Sequence, residues 1–171
     1  MAEREQFAVN ELTVEGDLIR EDQTIFIPAA LGKVGATAGF VTGGTNTAMV
    51  TCPASQTAST FVVPIPGLKA GMTITGFHLV GQVESAGNTA TVDAVLNKIT
   101  AAAAGSSHAT VGTMTQVSCT ADTALSSSNA VKTGLSEVVA DGETFYVLVT
   151  VTTAGSTDVE LNSIGITVDE V

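Results

Sequence analysis

The sequence predicts an all-β fold, an antiparallel sandwich of two sheets. Three observations carry that expectation. Apolar and polar residues alternate with period two at Met72 to Val83, Ala90 to Ile99 and Glu143 to Thr153, the spacing that puts every second side chain on one face of a strand. Aromatics make up only 4% of the chain, with no Trp, so the core must be built from Val, Ile, Leu and Ala with Phe as bulky filler, which suits thin β-layers. Pro, Gly, Asn and Asp punctuate these runs at short, regular intervals. A chain of 171 residues suits one domain and can bury roughly 70% of the surface its unfolded form exposes.

The first 22 residues hold seven acids and two arginines. Phe7/Val9 and Leu12/Val14 alternate with polar neighbours as a half-exposed strand would, so residues 1–22 read as an arm beside a single domain at 23–171. Such an arm can pair with its own sheet or reach a neighbouring subunit; a partly disordered terminus is the alternative. Gln23 to Ile27 reads as a short strand stopped by Pro28, and Ala29 to Gly32 as one helical turn. Gly32 to Thr47 reads as a loop without secondary structure of its own. Its Gly32-Lys33-Val34-Gly35-Ala36-Thr37-Ala38-Gly39 run lacks the Walker spacing and the Gly-x-Gly-x-x-Gly order of a phosphate loop.

Strands are expected at Ala48 to Thr51 and Thr57 to Val63, with Pro64-Ile65-Pro66-Gly67 forcing a change of direction. Met72 to Val83 follows, with Thr73, Thr75, Phe77, Leu79 and Val83 on one face and Met72, Ile74, His78, Val80 and Gln82 on the other. Both faces are largely apolar, as in a strand covered on both sides. Ala90 to Ile99 is a further strand with Ala90, Val92, Ala94 and Leu96 inward, although its alanines also permit a helix over Ala94 to Ala104. Val111 to Cys119 reads as a strand, Asp122 to Asn129 as a flexible loop and Val131 to Val139 as moderately β-like. Asp141-Gly142 turns into Glu143 to Thr153, and Ala154-Gly155-Ser156 into Val159 to Val168. About eight to ten short strands at this spacing make an antiparallel sandwich, most simply of jelly-roll type.

Several functions are disfavoured by residue type. The net charge of -11 leaves no basic patch for phosphate, so no direct nucleic-acid partner is expected. No apolar run is long enough to span a bilayer, and Met1 to Glu5 does not open a signal peptide, so no membrane partner is expected and synthesis is placed in the host cytoplasm. Cys52 and Cys119 have no metal or redox spacing and read as free buried thiols. His78 and His108 lack convergent ligands, and Ser106-Ser107-His108 lies on a loop without a nucleophile elbow. Asp141/Glu143, Asp158/Glu160 and Asp169/Glu170 read as solvated turn charges in preference to Ca²⁺ ligands. No cofactor, metal or catalytic residue is expected, and the chain is read as not an enzyme.

Gln23 to Val83 contains no Asp or Glu at all. An ordinary solvated surface of that length carries many charges, and one small core cannot hide the whole segment, so part of it is expected against other protein chains. A low-charge surface kept soluble by Thr, Ser and Asn is the alternative. The candidate subunit contacts are Phe7, Val9, Leu12, Val14, Ile25, Phe26, Val34, Phe40 and Val41.

The sequence of a Pro/Gly break (Pro64-Ile65-Pro66-Gly67-Leu68), a long strand (Met72-Thr73-Ile74-Thr75-Gly76-Phe77-His78-Leu79), Thr91-Val92-Asp93-Ala94-Val95-Leu96 and a late Phe145-Tyr146-Val147-Leu148-Val149-Thr150 resembles the small β-sandwich virion proteins of tailed bacteriophages. Capsid decoration or cement proteins are the members it is most similar to. The resemblance covers the last two thirds of the chain and lies in cadence, with no fixed motif. It implies a structural virion protein, likewise oligomeric, whose partners are the major capsid protein or other virion proteins. A receptor- or glycan-binding module of a tail fibre or adhesin is the second reading.

Overall fold

The computed structural model describes residues 22–42, 50–85, 87–102 and 105–169. Its described strands are β1 (Gln23–Pro28), β2 (Lys33–Val34), β3 (Val41–Thr42), β4 (Val50–Cys52) and β5 (Ser59–Ile65). Next come β6 (Thr73–Glu84), β7 (Ala90–Thr100), β8 (Ser107–Thr113), β9 (Val117–Cys119) and β10 (Thr123–Leu125). The series ends with β11 (Val131–Lys132), β12 (Glu137–Val138), β13 (Glu143–Thr153) and β14 (Asp158–Asp169). A single 3₁₀ turn, Ala29–Leu31, follows β1.

All the pairings are antiparallel and nest like one long hairpin wrapped on itself. β7 pairs with β8 and β9, β6 with β10, β11 and β12, β5 with β13, and β4 with β14. The wrap is closed by β6 against β14 in one sheet and β7 against β13 in the other. The first sheet therefore runs β3, β4, β14, β6, β10, and the second β2, β5, β13, β7, β8. Two Greek keys closed in this way make a jelly roll, as the strand spacing predicted. Between the sheets lie Phe61, Val63, Phe77, Leu79, Leu96, Val147, Val149, Leu161 and Ile164, none of them exposed.

The alternation of β7 and β13 is as read from the sequence: Ala90, Val92, Ala94 and Leu96 face inward, as do Phe145, Val147, Val149 and Val151. Residues 90–100 are strand throughout, so the helical alternative for Ala94 onward is discarded. In β6 the face assignment needs correction. The register against β14 slips at Thr75, and Ile74 and Phe77 both point into the core although they differ in parity. A second slip at Asn162 of β14 likewise lets Leu161 and Ile164 both face inward. A bulge adds one unpaired residue and thereby flips the face of everything beyond it.

Other elements also differ from expectation. Pro64 does not end β5 but lies within it, opposite Tyr146. The strand tolerates it because β2 reaches only Phe61 and Val62, which leaves the edge beside Pro64 open and its missing N–H harmless. Gly32 to Thr47 contains β2 and β3, and the Asp122 to Asn129 loop contains β10. The strand expected at Val111 to Cys119 begins earlier, at Ser107, and breaks between Thr113 and Val117, so His108 lies on β8 and not in a loop. The arm at residues 1–21 lies outside the described residues.

Candidate interaction surface

One flank of the sandwich is formed by the chain from Gln23 to Val41. β1 borders the first sheet through β14, while β2 borders the second through β5. Between them the 3₁₀ turn buries Ala29 and is closed by the Gly32 amide donating to the Ala29 carbonyl at 2.9 Å. The segment after β2 is laced to β5: the Gly35 amide donates to the Thr60 carbonyl at 2.8 Å and the Thr60 amide to that of Thr37 at 2.9 Å. This explains the glycines of the run. A Cβ on Gly32 would stand 2.4 Å from Phe61 Cε1, so the chain can cross the strand only without one.

This flank carries Phe26, Leu31, Val34 and Val41, exposed by 59%, 56%, 40% and 53%. The fifth exposed large hydrophobic among the described residues, Val138, is on β12 of the opposite flank. Apolar area is thus gathered within the stretch that also lacks acids, and Lys33 is the charged residue of the flank. Of the residues singled out in the sequence, Ile25 is half-buried against the core, and Phe26, Val34 and Val41 are exposed. Phe40 is different: it is 4% exposed and its ring packs on Phe61 with centroids 5.2 Å apart, so it anchors the flank from inside. Phe7, Val9, Leu12 and Val14 lie outside the described residues. Sequence reasoning missed Leu31, whose signal was a single large apolar residue on a one-turn helix that cannot bury all its sides.

Phe26 also lies in a row that crosses the first sheet on its outer face. In register, Phe26 stands opposite Gly165, Gly165 opposite His78, and His78 opposite Val131. With no side chain on Gly165, the His78 imidazole lies across β14 and meets the Phe26 ring edge-on, centroids 5.6 Å apart and planes at 83°. A Cβ on Gly165 would stand 2.2 Å from His78 Cε1. His78 is 7% exposed, and its burial pulls the imidazole below its ordinary value.

The remaining polar clusters are self-satisfied. Glu143 is not a solvated turn charge as expected: its side chain is 5% exposed, 2.8 Å from Lys98 Nζ, and accepts from the Ala140 amide at 3.0 Å. Lys98 beside it holds the carboxyl below its usual range. Lys98 also pairs with Glu137 on β12, tying the second sheet to the first. His108 Nδ1 shares a 2.9 Å hydrogen bond with the Tyr146 hydroxyl, and so faces a phenol and not Ser106 or Ser107. Cys52 and Cys119 are buried free thiols, and burial pushes Cys52 up to about 11.

At one end of the sandwich, a cleft of about 620 Å³ is lined by Gln82, Glu84, Asp122, Thr123, Ser156 and Asp158 among others. Gln82 Nε2 donates to Glu84 at 2.7 Å and to Glu160 at 2.8 Å, and the Ser85 amide to Asp122 at 2.8 Å. Asp158, then Glu160, raise the Glu84 carboxyl by repulsion. Among the described residues no group of three His, Cys, Asp or Glu side chains is placed to hold a metal ion, and no helix is long and apolar enough to cross a membrane.

No protein-family model matches the chain, and no curated protein matches it. Among solved structures it is similar to the enzymatically active domain of tailspike protein 4 of bacteriophage CBA120, at 12% identity and a TM-score of 0.30. That match covers 85% of this chain and 19% of the other, and a likeness so loose says nothing about what this chain does.

Proposed function

We propose that this chain is a structural, non-enzymatic virion protein of the capsid decoration or cement type, which binds a capsid lattice and joins neighbouring subunits. The observation that carries the reading is the flank of Phe26, Leu31, Val34 and Val41, where apolar exposure coincides with the acid-free stretch. Interfaces are depleted in Asp, Glu and Lys at their centre, and an exposed apolar cluster on a charged protein marks a contact surface. The N-terminal residues 1–22 add a second means of attachment, since linked weak contacts raise avidity without any new strong one. The major capsid protein is the expected partner, and the virion the expected location.

The test is co-sedimentation with purified particles of the virus that encodes the chain. Leu31→Glu and Val34→Glu are expected to weaken binding while leaving thermal unfolding unchanged, and deletion of residues 1–22 to release the protein while the domain stays folded. Undiminished binding by the flank variants would rule out this surface. The polar cleft of Gln82, Asp122 and Ser156 favours a second reading, a receptor- or glycan-binding module. Glycan-array binding that Asp122→Ala abolishes, with no particle binding, would select it.

A further inference from the structure

We infer that two copies of this chain pair through the open edge of β1, antiparallel across a two-fold axis, with Phe26 facing Phe26 of the partner subunit. The inference rests on reading the flank as an interface, and it names a second copy of the chain as one occupant. β1 is bonded to β14 along one side, and among the described residues its other side has no partner. An unpaired edge is a template for another strand unless something blunts it. Here nothing does. The register with β14 runs without a bulge from Gln23 opposite Val168 to Pro28 opposite Ser163, no residue of the strand is charged, and its proline is the last position. The far edges are treated differently. Opposite β6 the border is broken into β10, β11 and β12, with Lys132 and Glu137 on it, and β8 is bulged between Gly112 and Thr110.

Charge selects the occupant and its direction. Two chains that each carry -11 repel except where acids are missing, and the acid-free stretch begins at Gln23. Antiparallel pairing carries the two copies of Asp22 to opposite ends of the seam, whereas parallel pairing would set Asp22 against its own copy. The two-fold then restricts the register. Opposite residues must lie on the same face of the joined sheet, and Phe26 is on the outer face while Ile27 is buried on the inner. Directly opposite residue numbers must therefore sum to an even value. The sum that sets Phe26 on its own copy buries the two exposed rings together and pairs Thr24 with Pro28 of the partner subunit, an isologous contact.

The experiment is light scattering of the full-length chain across the micromolar range, with Phe26→Lys and Thr24→Lys beside it. Both substitutions are at exposed positions, and a change at Thr24 spares the contact with His78. Twice the monomer mass is expected for the wild type, with dissociation raised about tenfold or more in each variant, since each dimer gains two lysines at a narrow seam. Phe26→Cys is expected to form a disulfide-linked dimer on oxidation, because Cys52 and Cys119 are buried and do not compete. A chain that stays monomeric at every concentration, a dimer that Phe26→Lys and Thr24→Lys leave intact, or a dimer that Phe26→Cys does not cross-link overturns the proposal. A monomer that still binds particles would leave the proposed function standing, and a dimer that binds none would do the reverse.

Discussion

Gly165→Ala isolates the packing of the outer face in a single methyl group. Its Cβ would stand 2.2, 2.5 and 2.8 Å from His78 Cε1, Nε2 and Nδ1, well inside van der Waals contact, so the imidazole must leave its place between Phe26 and Val131. Overpacking of this kind costs about 1–3 kcal/mol, or roughly 2–12 °C in Tm for a domain of this size. The obstacle is a side chain and not backbone, so removing it should remove the cost. In a His78→Ala background Gly165→Ala is expected to be neutral or slightly stabilising, because Gly in a strand is itself unfavourable by roughly 0.5–1 kcal/mol. The four proteins form a double-mutant cycle, read by urea denaturation followed by far-UV circular dichroism, with an expected coupling of about 1–3 kcal/mol. Additive effects would refute the claim that Gly165 exists to seat His78.

Gly81→Ala meets backbone instead: its Cβ would lie 2.0 Å from the Glu160 carbonyl oxygen, so it should destabilise by more than Gly165→Ala, and no side-chain deletion should rescue it in the same denaturation assay. The His78 contribution to stability is full above its ordinary value of 6.5 and is lost as the pH falls through the lower folded-state value, because the unfolded chain takes the proton first. Comparing wild type with His78→Gln between pH 7 and 5 should show that difference shrinking with acid. Phe61→Ala removes a fully buried ring beneath Phe40 and should cost about 3–5 kcal/mol in thermal or urea unfolding. Ala58 is held at φ 47°, a left-handed conformation that costs an L-residue about 1–2 kcal/mol; Ala58→Gly should therefore raise stability by up to about 1 kcal/mol.

The parts of the fold that could be read from the sequence are those set by one strand's own pattern. β7 and β13 are central strands with a regular alternation; the inward residues of β7 were assigned from period two alone, and the two faces of β13 were separated by it. β6 was placed but its faces were not: Gly76 and Gly81 hint at bulges or close backbone approach, but where the register slips, at Thr75, is set by pairing with β14, almost a hundred residues away. The same holds for the 32–42 segment. Its short strands β2 and β3 exist through bonds to β5 and β4, and its glycines answer to Phe61 and Ser59, so its composition alone reads as loop. At the candidate surface the missing acids mark a stretch on which Phe26, Val34 and Val41 are exposed. Phe40 could not be told from them by residue type, since what separates it is the ring of Phe61 beneath it.

The central claim is that the flank between β1 and β3 is the surface by which this chain is held to other protein. Hydrogen–deuterium exchange of the full-length chain, free and bound to purified particles, measures it directly. Binding is expected to slow exchange at the amides of the flank, above all between Leu31 and Val41 because β1 is already paired in the free dimer, and to leave the cleft at Glu84, Asp122 and Asp158 as it is in the free protein. Protection at the cleft with none on the flank would contradict it.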